Sequence, residues 1–198
     1  MAGFARNPHG YCWANLLRDR LEKTDDCRVT NNGCSGTDIE FILRFFDSLV
    51  DPDDDIVLCM IGTNNRHQYF SDSPQMSGRE YMERFYQNIL ALHNRFRAAG
   101  IDAIFCACIP ASAENEQDGP DYRRLFHMND VHDLYMKASC ACGFPFISLY
   151  TAFQSYCAER NILPDALLAD GLHPNDEGHR VIYELLMKET GLSAGAGR

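Results

Sequence analysis

No apolar run in these 198 residues approaches the ~20 needed to cross a bilayer, and the opening MAGFARNPHG carries no hydrophobic segment of the signal-peptide kind. These absences lead to the expectation of a cytoplasmic protein with no membrane partner. Positive charge is scarce: 18 Lys and Arg stand against 28 Asp and Glu, a formal net charge of -10. No basic run overrides that balance, so phosphate backbones are repelled and nucleic acid is not an expected partner. The C-x-x-C spacing of common zinc sites is missing. The nine cysteines sit mostly inside apolar runs (VLCMIG, IFCACIP) and read as reduced thiols that pack as small core residues. A phosphate-cradling glycine-rich loop leading into a helix is also missing, which argues against a nucleotide binder. Neither cofactor nor metal is called for.

What is present is the composition of a globular chain, 45% hydrophobic and 23% charged. The length suits one domain over residues 1–192, with a frayed tail at 193–198. Four short apolar runs read as strands: CRVTNNG (27–33), DIVLCMIG (55–62), DAIFCACIP (102–110) and FPFISLY (144–150). Helical periodicity lies between and around them. Ile39, Ile42, Leu43, Phe46, Leu49 and Val50 share one face, as do Met82, Phe85, Ile89, Leu92 and Phe96; Trp13, Leu16, Leu17 and Leu21 repeat the pattern upstream. Strands alternating with helices predict an α/β fold with a parallel sheet covered on both faces. Ligands collect beyond the carboxyl ends of such strands, which draws attention to 33–36, 62–65, 110–112 and the loop leading to Asp170 and His173.

DGLHPNDEGH (170–179) places Asp170 three residues before His173. A neutral imidazole needs one nitrogen tied to a carboxylate before the other can act as a base of fixed tautomer, and this spacing suits that pairing. Pro174 biases His173 away from helical geometry; Asn175 or Asp176 then caps a helix from about Glu177 to Thr190, stopped by Gly191. On these two residues alone, a capping aspartate and a surface histidine read equally well, and His179 reads as helix surface. In NNGCSG the glycines let a backbone N–H face the cleft, although a bare turn explains them too. In IGTNN a glycine ends a strand and Asn64 offers an amide to a developing oxyanion, although asparagine also favours turns. His127 and Asp130 stand at i,i+3 on a predicted helix and read as a polar pair rather than metal ligands. His67 and Tyr69 border the expected cleft, and residues 111–122 read as a surface connection, with one wall of the pocket as the alternative.

Taken together, the order strand–NxGxSG, strand–GxN and DxxHP resembles the SGNH (GDSL-type) hydrolase family, over about residues 10 to 190. The resemblance implies a three-layer α/β/α fold with a five-stranded, flavodoxin-like parallel sheet in spatial order 2-1-3-4-5. It implies hydrolysis of a small-molecule ester, an acyl ester or an acetylated sugar, with no cofactor. Gly33 and Asn64 then correspond to the oxyanion-hole donors, His173 to the base and Asp170 to its orienter. Asn65 stands where the family usually has aspartate. The family's Gly-Asp-Ser block does not occur in the 198 residues, so its strand and nucleophilic serine are expected ahead of Met1, the strand lying between those at 27–33 and 55–62. Either Met1 is internal to a longer protein or the first segment has been lost, and the chain as written is expected to be nearly inactive and marginally stable. Cys34 and Ser35 do not substitute as nucleophile, because they belong to the turn that builds the oxyanion hole. The alternative is a non-catalytic binding module or a degenerate remnant of the hydrolase fold.

Overall fold

A computed structural model describes residues 12–24, 27–68, 76–117 and 123–191. Strands β1 (Ile56–Met60), β3 (Asp102–Cys106) and β5 (Phe146–Ile147) form a parallel sheet in the order β1-β3-β5. Ile56 registers with Asp102, Met60 with Cys106, and Phe105 with Phe146. Two short strands, β2 (His67–Gln68) and β4 (Arg123–Arg124), pair antiparallel beyond the sheet.

The two-residue side-chain period divides the core between the two faces of this sheet. Cys59, Ala103 and Phe105 join Phe85, Ile89, Leu92 and Tyr135, from α4 (Gly78–Ala99) and α5 (Met128–Cys142). Ile39 and Phe46, from α2 (Ile39–Arg44) and α3 (Phe46–Leu49), complete that side. Leu58, Met60, Ile104 and Cys106 pack on the other face against α1 (Trp13–Thr24), α6 (Leu149–Glu159) and α7 (Asp176–Thr190). The result is the expected α/β/α layering. Helices α4 and α7 are bounded where the chain supplies caps. Ser77 and Glu80 close a capping box on α4, and Gly191 takes a left-handed φ of 69° after α7.

The structure corrects three of the expected elements. Residues 27–33 form no strand. They run exposed and irregular, with the Val29 N–H donating to Glu22 and the Asn32 amide to the Leu49 carbonyl. With one aliphatic residue in the run, there is little apolar area to hold it in a sheet. The helix expected over 39–50 is two helices, because Phe45 leaves helical geometry (φ -108°, ψ 21°). The run at 102–110 is strand only over its first five residues and that at 144–150 only at 146–147; residues 107–110 continue as buried irregular chain, and residue 149 already opens α6. The tail expected at 193–198 lies outside the described residues. No described helix is long and apolar enough to cross a membrane. The cysteines in the apolar runs are buried thiols; burial, with Cys108 nearby, pushes Cys59 up to about 12, so it is protonated and inert.

Candidate active site

The loop from Leu168 to Pro174 is a closed turn. Leu168 and Pro174 form an antiparallel bridge, the Ala169 N–H donates to the His173 carbonyl at 2.7 Å, and Gly171 sits at the tip with φ 78°. Asp170 organises it from inside. Its Oδ1 accepts the N–H groups of Leu172 (3.1 Å) and His173 (2.7 Å), and its Oδ2 lies 2.7 Å from His173 Nδ1. Burial pushes the Asp170 carboxyl up, but the donated hydrogen bonds and the adjacent imidazole outweigh it and hold the group below its ordinary value. A carboxylate can only accept, so Nδ1 carries the proton and Nε2 of the neutral ring presents its lone pair.

Two neighbours hold this loop in place. The Ser112 N–H, beyond the end of β3, donates to the Gly171 carbonyl at 2.7 Å, and a Cβ on Gly171 would strike the Ser112 hydroxyl. On the other flank Asn175 caps α7: Oδ1 accepts the Gly178 N–H at 2.9 Å, while Nδ2 donates to the Ala166 carbonyl.

Asn64 opens a short 3₁₀ turn just past β1, and its Nδ2 donates to the Thr37 carbonyl at 2.7 Å. One of the two amide hydrogens is thereby fixed, which fixes the plane of the other. Gly33 lies in the exposed 27–36 segment, where its N–H donates to Asn31 Oδ1 at 3.1 Å. Asn65 is the buried member of the pair, only 3% exposed. Its Oδ1 accepts the Ile39 N–H at 3.0 Å and its Nδ2 donates to Glu40 at 2.8 Å, tying the start of α2 to the end of β1. Glu40 is the physical reason that asparagine fits here. Asn65→Asp keeps the acceptor for Ile39 and sets two carboxylates together, so we expect a loss of about 1–3 kcal/mol in urea unfolding at neutral pH. Repulsion raises the folded pKa of the pair above its unfolded value, so the loss should shrink as pH falls and one carboxyl takes a proton. An equal loss at acidic and neutral pH would reject this account.

Beside the Asp170 loop lies an open cleft of about 510 Å³, lined by Ser112, Asn115, Arg124, Asp165, Asp170 and Gly171. Residues 112–117 therefore build one wall of it, the second of the two readings of 111–122; residues 118–122 lie outside the described residues. Behind this wall Arg66 is fully buried and donates to Glu116 at 2.7 Å. Burial pushes the Arg66 guanidinium below its usual range while Glu116 opposes the shift. His127 Nδ1 approaches the other Glu116 oxygen at 2.7 Å, and the His127 N–H donates to Asp130. That pair caps α5, and among the described residues no group of His, Cys, Asp and Glu is arranged to hold a metal ion.

The sequence profile of the GDSL-like lipase/acylhydrolase family matches residues 1–181. The chain belongs to this family. Solved structures similar to this chain share its fold. A catalytic variant of Axe2, an acetylxylan esterase from Geobacillus stearothermophilus, superposes with a TM-score of 0.73 at 20% identity, covering 100% of this chain and 89% of that one. LAE5, an alpha/beta hydrolase enzyme from the metagenome of Lake Arreo, Spain, gives 0.72 at 23% identity, with 98% and 88% covered. The acetyl xylan esterase AlAXEase gives 0.65 at 19% identity, with 89% of each chain covered. No curated protein sequence matches the chain.

Two further expectations fare differently in this chain. His179, read as helix surface, is 2% exposed, and its Nδ1 accepts the Trp13 N–H at 3.2 Å, joining α1 to α7. His67 is half-buried at the start of β2, while Tyr69 lies outside the described residues. Ser112 falls in the 110–112 stretch that the sequence flags, whereas nothing there distinguishes Glu116. The bonds of Ser112 to Gly171 and of Glu116 to Arg66 join residues 50 or more positions apart, which spacing within the chain does not reveal.

Proposed function

We propose that the protein hydrolyses a small acyl ester by a serine-hydrolase cycle. In it His173 is the general base, Asp170 its orienter, and the Asn64 amide and Gly33 N–H the oxyanion donors. The contact of 2.7 Å between His173 Nδ1 and Asp170 carries the reading, because it leaves Nε2 as the proton acceptor. The nucleophile is the serine of the Gly-Asp-Ser block that the family resemblance implies. It attacks the carbonyl while its proton passes to His173; the alcohol leaves with that proton, and water activated by the same imidazole releases the acid. For Gly33 to serve, its N–H exchanges Asn31 for the oxyanion.

The cleft wall offers Ser112, Asn115, Arg124 and Asp165, donors and acceptors suited to a polyol rather than to a long acyl chain. Together with acetylxylan esterases among the similar folds, this favours an acetylated sugar as substrate.

The test is hydrolysis of p-nitrophenyl acetate and of acetylated xylo-oligosaccharide. Residues 1–198 alone are expected to run at background, and the protein that carries the Gly-Asp-Ser strand to turn over. In that protein Asn64→Ala should lower kcat about 10²- to 10³-fold, the usual effect of deleting one oxyanion donor. Unchanged kcat in Asn64→Ala would remove it from the oxyanion hole, and no turnover by the serine-bearing protein would overturn the reading.

A further inference from the structure

A second hydrogen-bonded chain of serine, histidine and aspartate lies away from the Asp170 loop. Ser148 Oγ is 2.8 Å from His132 Nε2, and His132 Nδ1 is 2.9 Å from Asp133 Oδ1. The tautomer follows as before: Asp133 can only accept, so Nδ1 carries the proton and Nε2 takes the Ser148 O–H. The ring is held firmly. His132 is 8% exposed, with the Phe146 and Tyr150 rings at 5.8 and 5.5 Å between centroids.

The position suits an attacking oxygen. Ser148 follows β5 directly, at the same carboxyl end of the sheet as Asn64 after β1 and Ser112 after β3. It also occupies the N-cap of the eleven-residue α6, where a serine hydroxyl ordinarily accepts a helical N–H. Here it makes no such cap bond. The hydroxyl is turned to His132, with Thr151 Oγ1 its other contact, and the first N–H groups of α6, which have no intrahelical acceptor, lie next to it in sequence. Ser148 itself is half-buried and Asp133 is exposed, so the group is not sealed in the core.

We propose that Ser148, His132 and Asp133 form a second acyl-accepting centre, one that takes small, activated carboxylic and organophosphorus esters. Ser148 and His132 are its catalytic residues and Asp133 is a positioning residue. Ser148 Oγ bonds to the electrophilic carbon or phosphorus, its proton passes to His132 Nε2, and the bond to the leaving phenolate or fluoride breaks. The imidazolium then releases the proton to solvent. Among the described residues none of the three lines the cleft beside Asp170, so activated leaving groups, which need no alcohol-binding site, are the class it accepts. The centre stands independently of the Asp170–His173 reading.

The experiment treats the full chain with diisopropyl fluorophosphate and maps the adduct by peptide mass spectrometry. The expected result is one diisopropylphosphoryl group per chain, on Ser148. His132→Gln should slow labelling about 10²-fold, as loss of a general base does. Asp133→Asn should slow the maximal labelling rate about tenfold while leaving the reagent concentration for half-maximal rate, and the melting temperature, unchanged; a purely structural aspartate would not produce that split. Because His132 is buried and its variant is at risk of misfolding, the exposed Asp133 variant decides in that event. No adduct on Ser148, or labelling at the parent rate in Asp133→Asn, overturns the proposal.

Discussion

Replacing His173 by alanine is expected to lower kcat/KM for a short aryl acetate by about 10⁴- to 10⁶-fold in the serine-bearing protein, with the melting temperature unchanged. The size follows from interdependence: without a proton acceptor the serine remains a neutral hydroxyl, and the covalent route is lost. The unchanged fold follows from where the loop draws its support. Asp170 Oδ1 still accepts the two backbone N–H groups, and Ser112 and Asn175 still hold the flanks. Asp170→Asn provides the companion measurement. An amide that keeps its oxygen toward the backbone N–H groups turns its NH₂ toward Nδ1, forcing the ring proton onto Nε2, where it blocks base action. Full activity in the His173 variant would remove it as the base. A large drop in melting temperature would show instead that the imidazole holds the loop together.

The parts of the site that are legible in the sequence are those written within a few residues. Asp170 and His173 meet because a single tight turn joins them, and Gly171, Pro174 and Asn175 report that turn by residue type. Helices α4 and α7 are legible for the same reason: periodicity and caps are local. Residues that act through distant partners are not. Asn65 and Glu40 are 25 positions apart, and the sequence alone gives no cause for the asparagine. His179 lies on the helix that DGLHPNDEGH introduces and looks like surface until α1 is brought against it. The 27–33 run lies where a strand is expected, but it carries a single aliphatic residue, and its backbone groups find side chains instead of a sheet partner. Ser148 and His132 belong to different helices and share no motif. Their pairing exists only because β5 delivers the start of α6 to the flank of α5.

Gly62→Ala should cost about 2–6 kcal/mol. Gly62 closes β1 with φ 132°, a conformation that L side chains rarely adopt, and forcing alanine there costs about 1–3 kcal/mol. Space adds a second contribution. A Cβ at this position would lie 2.7 Å from Val131 Cγ1 on α5 and 3.1 Å from Phe85 Cζ on α4, both fully or almost fully buried, and overpacking of this kind costs about 1–3 kcal/mol more. The two contributions are separable. Val131→Ala makes room for the new methyl without relieving the backbone, so a double-mutant cycle should return a favourable coupling of about 1–3 kcal/mol and leave the rest of the loss in place. The effect should also reach catalysis, because the Gly62 carbonyl accepts the Asn65 N–H at 3.1 Å and so sets the turn that aims Asn64. Urea midpoints for the two single variants and the double variant, measured with p-nitrophenyl acetate turnover in the serine-bearing protein, test both claims. A Gly62→Ala midpoint within error of the parent would mean that the end of β1 relaxes freely, and Asn64 would then have no rigid support for a role in the oxyanion hole.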